Sequence, residues 1–102
     1  MTRELPIIEF AGTEFYVDIQ LDEFRQVTNP GNKIHFDLLE SSDDLVLSLA
    51  FDKRTLNAFT GEPGPAGFPE NIEIILVPPF VSMDPIGVAR KCDLPDNFFT
   101  ED

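Results

Sequence analysis

The chain has 102 residues, 42% of them hydrophobic and ten of them phenylalanine, and its 19 acidic and 7 basic residues give a net charge of −12. Aromatic residues at this level exclude a disordered chain, and the length fits a single domain over residues 1–102. Because acidic residues occur in both halves, the surface repels phosphate and anionic lipid, so we expect no direct binding to nucleic acid or membranes.

The first predicted elements are two strands joined by a short turn. Residues 5–10, LPIIEF, and residues 14–22, EFYVDIQLD, flank the turn AGT. The second segment alternates strictly, which is typical of a half-buried antiparallel strand. One face carries Phe15, Val17, Ile19 and Leu21, and the other carries Glu14, Tyr16, Asp18, Gln20 and Asp22. The sequence therefore begins with a predicted β-hairpin.

Five further segments are predicted as strands before residue 78, of which 23–27 is not cleanly alternating and has a helical turn as its alternative. Residues 23–27 and 33–38 form a second hairpin, in which Pro30-Gly31 favours a type II turn. A polar connection at 39–44 leads to a strand at 45–52, whose inner face has Leu45, Leu47, Leu49 and Phe51. A reversal at DKRT leads to a short strand at 56–60, and the last strand spans 71–77.

A loop rich in glycine and proline separates the last two strands. Residues 61–69, GEPGPAGFP, read as three Gly-x-y triplets. Collagen needs long runs of such triplets in three chains, so this segment predicts a stiff polyproline-like loop instead. Phe68 in this loop either folds back on the core, which we expect, or contacts a partner.

A helix of eight residues is predicted from Pro85, with Cys92 at its C-terminal end. Asp84 is a good N-cap, Pro85 suits the first helical position, and Arg90 and Lys91 favour the last turn. The apolar residues Ile86, Val88, Ala89 and Cys92 would face the sheet. The predicted fold is α+β, a largely antiparallel β-meander of six strands with one short C-terminal helix. A half-barrel is one form that such a curled sheet can take.

Residues for catalysis are few. His35 is the only histidine and is expected to face solvent, and Cys92 is the only cysteine and is expected to be a small buried hydrophobe. One histidine and one cysteine cannot supply a zinc site, and no glycine-rich phosphate motif is present. We therefore expect no enzyme, cofactor or metal. The lack of a disulfide, a signal peptide and a membrane span favours the cytoplasm.

Candidate partner-binding residues fall into an acidic set and an aromatic set. The acidic set is Glu14, Asp18 and Asp22, which would stand ~13 Å apart along one strand face. The aromatic set is Phe68 with Phe98 and Phe99, of which the last two are expected to pack on the core unless they contact a partner.

Three functional hypotheses follow from these features. The first is an interaction or accessory protein that binds another protein, with a basic partner favoured by the charge. The second is an acidic nucleic-acid mimic that inhibits a DNA- or RNA-binding protein. The third is a small-ligand-binding domain with a pocket between sheet and helix.

Overall fold

The computed structural model describes residues 4–41, 46–61 and 64–99, which form eight strands and three short helices. The strands are β1 (Ile7–Phe10), β2 (Thr13–Asp18), β3 (Glu23–Gln26), β4 (Lys33–His35), β5 (Glu40–Ser41), β6 (Leu47–Asp52), β7 (Asn57–Ala58) and β8 (Ile72–Val77). A 3-10 helix spans Phe36–Leu38, and the α-helices are α1 (Phe80–Met83) and α2 (Pro85–Lys91). Parts of three predicted segments lie outside the described residues, namely Leu45, 42–44 and 62–63. The α+β class and the antiparallel pairing are confirmed.

Strands β1 to β4 form the first sheet, an antiparallel meander in chain order. Its first hairpin is closed by Ala11 and Gly12, whose φ angles of 50° and 87° fit a type I′ turn. Phe10 pairs with Thr13 at the end of this hairpin. The predicted hairpin is therefore confirmed.

The second hairpin, β3 to β4, is also confirmed, but its turn is of another type. The Asn32 N–H donates to the Asn29 carbonyl at 2.9 Å, which closes a four-residue turn. The φ angle of Gly31 is not positive, whereas a type II turn needs a positive φ at that position. Pro30 is equally compatible with a type I turn, which is why the sequence did not distinguish the two.

The remaining four strands form a second antiparallel sheet, so the described residues contain two four-stranded sheets, two strands more than the six predicted. β8 pairs with one edge of β6, while β5 and β7 pair with the two ends of its other edge. The 3-10 helix ends β4 after three residues and redirects the chain. The two sheets meet where the Asn57 side chain donates to the Lys33 carbonyl at 2.9 Å. A half-barrel would instead join the sheets here by backbone hydrogen bonds between strands.

The inner faces of both sheets share one core. It contains Phe10, Phe15, Val17, Ile19, Phe24, Ile34, Leu49, Phe51 and Val77. The Phe51 ring connects the sheets, because its centroid lies 6.0 Å from those of both Phe10 and Phe15. Alternation along the sequence predicted this face correctly in β2 and in the described part of the strand at 45–52.

Strand β2 is shorter than predicted, because it ends at Asp18. The Asp18 Oδ1 atom accepts the Leu21 N–H at 3.1 Å, and Asp22 has a φ of 55°. This side-chain hydrogen bond turns the chain back into β3. Leu21 is consequently 59% exposed and does not join the core, contrary to the predicted alternation.

The predicted C-terminal helix is confirmed as α2. Asp84 caps it by accepting the Gly87 N–H at 3.0 Å, and Ala89 is fully buried against the core. The preceding helix α1 was not predicted, because four residues are too few to show a helical period. Cys92 is exposed, contrary to prediction, because it follows the last helical residue at the C-cap.

Candidate functional site: a groove beside Arg25

The outer face of the first sheet carries two rows of side chains across its strands. The first row is Ile7, Tyr16, Arg25 and Lys33, and the second row is Asp18, Glu23 and His35. Residues directly opposite each other on neighbouring strands have contacting side chains. Arg25 lies diagonal to Asp18 across β2 and β3 and two residues from Glu23 on the same face of β3, so one guanidinium stands next to two carboxylates.

Arg25 binds both carboxylates with one nitrogen. Its Nη1 atom donates to Asp18 Oδ2 and, at 3.1 Å, to Glu23 Oε2. The hydrogen bond that Arg25 donates to Asp18 raises the pKa of Arg25, and the one that it donates to Glu23 adds to this effect against the opposing effect of burial. Lys33 Nζ lies 4.0 Å from the same Glu23 oxygen. These four charges are therefore paired and held in place.

Helix α2 is fixed beside this face by three contacts of two side chains. Lys91 Nζ donates to the Ile19 carbonyl at 2.9 Å and forms an ion pair with Asp22. Gln20 Nε2 donates to the Gly87 carbonyl at 3.4 Å. These contacts hold the helix against the turn between β2 and β3.

A groove of about 800 Å³ lies between this sheet face and the end of α2, and we call it the Arg25 groove. Its lining consists of Glu4, Leu5, Ile7, Tyr16, Asp18, Gln20, Leu21, Arg25 and Arg90. Arg90 binds Asp96 through two hydrogen bonds of 2.9 Å, and this carboxylate raises the pKa of the guanidinium. The groove thus combines aliphatic walls with charged and polar groups whose positions are fixed by pairing.

The three acidic residues predicted to bind a partner do not form an evenly spaced row along one strand, and their role in partner binding stays a prediction. Glu14 is exposed and stands opposite Glu9, but Asp18 is buried under Arg25. Asp22 lies beyond the end of β2 and pairs with Lys91. The even spacing of ~13 Å required a straight strand through residue 22, and the turn at 19–22 removes it. This arrangement gives the acidic-mimic hypothesis less support than the sequence did.

The three predicted aromatic residues are exposed rather than packed on the core, which corrects the expectation for all of them. Phe68 packs edge to face on Phe59, with ring centroids 5.9 Å apart, and remains 41% exposed. Phe98 and Phe99 contact each other at 4.9 Å. None of them lines the Arg25 groove. Their role in partner binding stays a prediction.

Eight of the nine groove residues were not predicted as site residues from the sequence, Asp18 being the exception. Ile7, Arg25 and Leu21 belong to two strands and a turn, and only the strand register brings them together. One signal was present in the sequence. Arg25 is the single basic residue between 4 and 32, in a segment with six acidic residues, namely Glu4, Glu9, Glu14, Asp18, Asp22 and Glu23.

Within 4–41, 46–61 and 64–99, no group of three or more metal-binding side chains occurs, and no helix there is long and apolar enough to cross a membrane. Comparison of the chain with protein-family models, curated proteins and solved structures gave no match.

Proposed function

We propose that this protein is an interaction module that binds a segment of another protein in the Arg25 groove. The observation that carries the proposal is the pair of exposed aliphatic side chains at its walls. Ile7 is 51% exposed and Leu21 is 59% exposed, and a fixed charged network lies between them. Apolar contacts around a few fixed polar groups are typical of protein interfaces.

The charge around the groove favours a basic partner. Glu4 lines the groove, and Glu9 and Glu14 stand opposite each other on the same outer sheet face. The whole chain carries −12. A partner segment that places an apolar side chain between Ile7 and Leu21, with lysine or arginine beside it, would match both properties of this surface.

The test is retention of a partner by immobilised protein and by three single arginine variants. Leu21→Arg and Ile7→Arg place a cation in the groove, while Leu38→Arg places one on the exposed 3-10 helix. All three variants change the net charge equally, so Leu38→Arg is the matched control. Lysate of the source organism is passed over each, and bound protein is eluted by a salt gradient.

We expect a protein that is retained by the wild type and by Leu38→Arg but not by the two groove variants. With the purified partner, each groove variant should weaken binding by at least about tenfold, which corresponds to 1.4 kcal/mol. Equal retention by all four proteins would show that the groove is not the binding site.

A second candidate function is small-ligand binding in the same groove. The volume of about 800 Å³ lies in the range of small-molecule sites, and polar groups of Tyr16, Asp18 and Arg25 converge on it. Mass spectrometry of the purified protein under native conditions would detect a bound molecule as mass beyond 11.5 kDa. Loss of that extra mass in Leu21→Arg, but not in Leu38→Arg, would favour this function over binding of a protein segment.

A further inference from the structure

Strand β8 lies at an edge of the second sheet, whereas the Arg25 groove lies on the first sheet. Within 4–41, 46–61 and 64–99, β8 pairs with β6 alone, so its other edge has no strand partner there. In proteins that remain monomeric, the edge strands of sheets are commonly protected from pairing by lysine, proline or a bulge. The segment Ile72–Val77, IEIILV, contains neither lysine nor proline and has a single charge at Glu73.

The backbone directions show which residues of β8 offer hydrogen bonds at the free edge. The Lys53 N–H donates to the Asn71 carbonyl at 2.8 Å, so these two residues exchange bonds between the strands. In an antiparallel ladder this role alternates, so Glu73, Ile75 and Val77 also face β6. The backbone groups of Ile74 and Leu76 therefore point away from β6.

The side chains of the same two residues are also exposed. Ile74 is 51% exposed and Leu76 is 71% exposed, and both lie on the outer sheet face beside Ala50 and Ser48. Exposed aliphatic side chains next to free backbone groups are the combination that strand addition uses. The charged neighbours are few and mixed, since Glu73 lies 4.0 Å from Lys53. The net charge of −12 is thus not concentrated at this edge.

A second copy of the chain fits this edge in one register. Two copies related by a twofold axis perpendicular to the sheet can pair β8 with β8 antiparallel. A register centred on Glu73 places like charges opposite each other, and one centred on Ile74 requires the Ile72 N–H, which already donates to Pro69. In a register centred on Ile75, Ile74 of each copy lies opposite Leu76 of the other, so the same pair forms on both sides of the twofold axis.

We infer that the protein forms a homodimer through antiparallel pairing of two β8 strands, with Ile74 opposite the second copy's Leu76. This register supplies four intermolecular backbone hydrogen bonds and places Glu73 opposite Val77 of the second copy. This pairing brings the exposed side chains of Ile74 and Leu76 from both copies together on the outer face, and the second sheet continues from one copy into the other. The inference is independent of the proposed function, because no residue of β8 lines the Arg25 groove.

The test is the solution mass as a function of concentration, measured by sedimentation velocity at about 0.15 M salt, where charge screening extends over about 8 Å. The wild type should shift from 11.5 kDa towards twice that mass as its concentration rises from about 5 μM to about 500 μM. Ile74→Lys should weaken association at least about tenfold, since it places a charge among aliphatic side chains. Leu38→Lys, on the exposed 3-10 helix and outside both β8 and the Arg25 groove, should associate like the wild type.

A double variant tests the register itself. In Ile74→Lys with Leu76→Glu, each lysine would stand opposite a glutamate of the second copy, so association should recover relative to Ile74→Lys alone. Thermal unfolding of each variant checks that the fold is kept, as both positions are exposed. A wild type that stays at 11.5 kDa at every concentration overturns the inference, and so does association that Ile74→Lys leaves unchanged.

Discussion

Asp18 and Glu23 stand directly opposite each other on β2 and β3, and both are buried, with 7% and 4% of their surfaces exposed. Two like charges in this position would repel each other, and burial increases the effect. The Nη1 atom of Arg25 lies between them and binds both. The two buried carboxylates beneath the Arg25 groove therefore depend on one guanidinium to balance their charge.

Replacement of Arg25 should destabilise the fold strongly. Arg25→Met leaves two buried carboxylates without their shared cation, and breaking such a pair costs about 3 kcal/mol. For a domain of this size, the melting temperature should fall by roughly 15 °C. Thermal unfolding followed by circular dichroism gives this value.

The control for this prediction is the neighbouring lysine. Lys33→Met removes a partly exposed cation 4.0 Å from Glu23, and such pairs contribute at most about 1 kcal/mol. Adding Asp18→Asn and Glu23→Gln to Arg25→Met should recover much of the lost stability, because the uncompensated charges are gone. If Arg25→Met and Lys33→Met have the same melting temperature, the guanidinium is not what stabilises the two buried carboxylates.

The first hairpin should be stabilised by a better turn residue. Ala11 has a φ of 50°, which is unfavourable for alanine but common for asparagine, and it is exposed. Ala11→Asn creates the Asn-Gly pair that type I′ turns prefer and should add about 0.5–1 kcal/mol to the free energy of unfolding. Chemical denaturation measures this difference.

The opposite substitution in the same turn is its control. Gly12 has a φ of 87°, and no heavy atom would lie within 4 Å of an added Cβ, so Gly12→Ala changes the backbone preference without a steric clash. It should lower the free energy of unfolding by about 1 kcal/mol. Opposite signs for the two variants are the expected result, and a shared sign would contradict the turn assignment.

The sequence predicted those elements whose signals are local. Alternation predicted the buried face of β2 and β6, and the pair Asp84-Pro85 predicted where α2 begins. The end of β2 was not predicted, because Asp18 continues the alternating pattern while its side chain binds the Leu21 N–H. A carboxylate that turns the chain looks the same in sequence as one that faces water.

The groove and the second sheet could not be predicted for a different reason. Arg25 meets Asp18 through the register of β2 and β3, which no local pattern fixes, whereas Glu23 lies two residues away on the same face of β3. β5 and β7 have two residues each, which is too short for alternation to appear. Their pairing with β6 therefore became visible only in the structure.

Asp52 should titrate below the usual range of an aspartate. Its Oδ1 atom accepts hydrogen bonds from the Asn71 side chain and from the Arg54 N–H, both at 2.8 Å, and the Asn71 bond is the main cause of its lowered pKa. A carboxylate with a lowered pKa stabilises the fold above its unfolded-state pKa of about 3.9, and this contribution is lost as the pH falls through the folded-state value. Carboxyl NMR titration measures it directly.

Removal of Asn71 should reverse this shift. In Asn71→Ala, the titration midpoint of Asp52 should rise towards the ordinary value, while the remaining Arg54 N–H keeps it slightly lower. Asn29→Ala removes an exposed asparagine in a different turn and should leave the midpoint unchanged. A midpoint for Asp52 that is the same in Asn71→Ala as in the wild type would mean that this hydrogen bond is absent in solution.

Phe51 should be far more important for stability than the exposed aromatic pair near the C-terminus. Phe51 is fully buried and contacts the rings of Phe10 and Phe15, so it joins the two sheets. Phe51→Ala should lower the free energy of unfolding by about 4 kcal/mol, since it removes apolar contacts and leaves a cavity. Phe98→Ala, at a site 54% exposed, should change it by less than about 1 kcal/mol. Chemical denaturation of both variants tests this contrast, and a large loss in Phe98→Ala would mean that the C-terminal aromatic pair packs against the domain in solution.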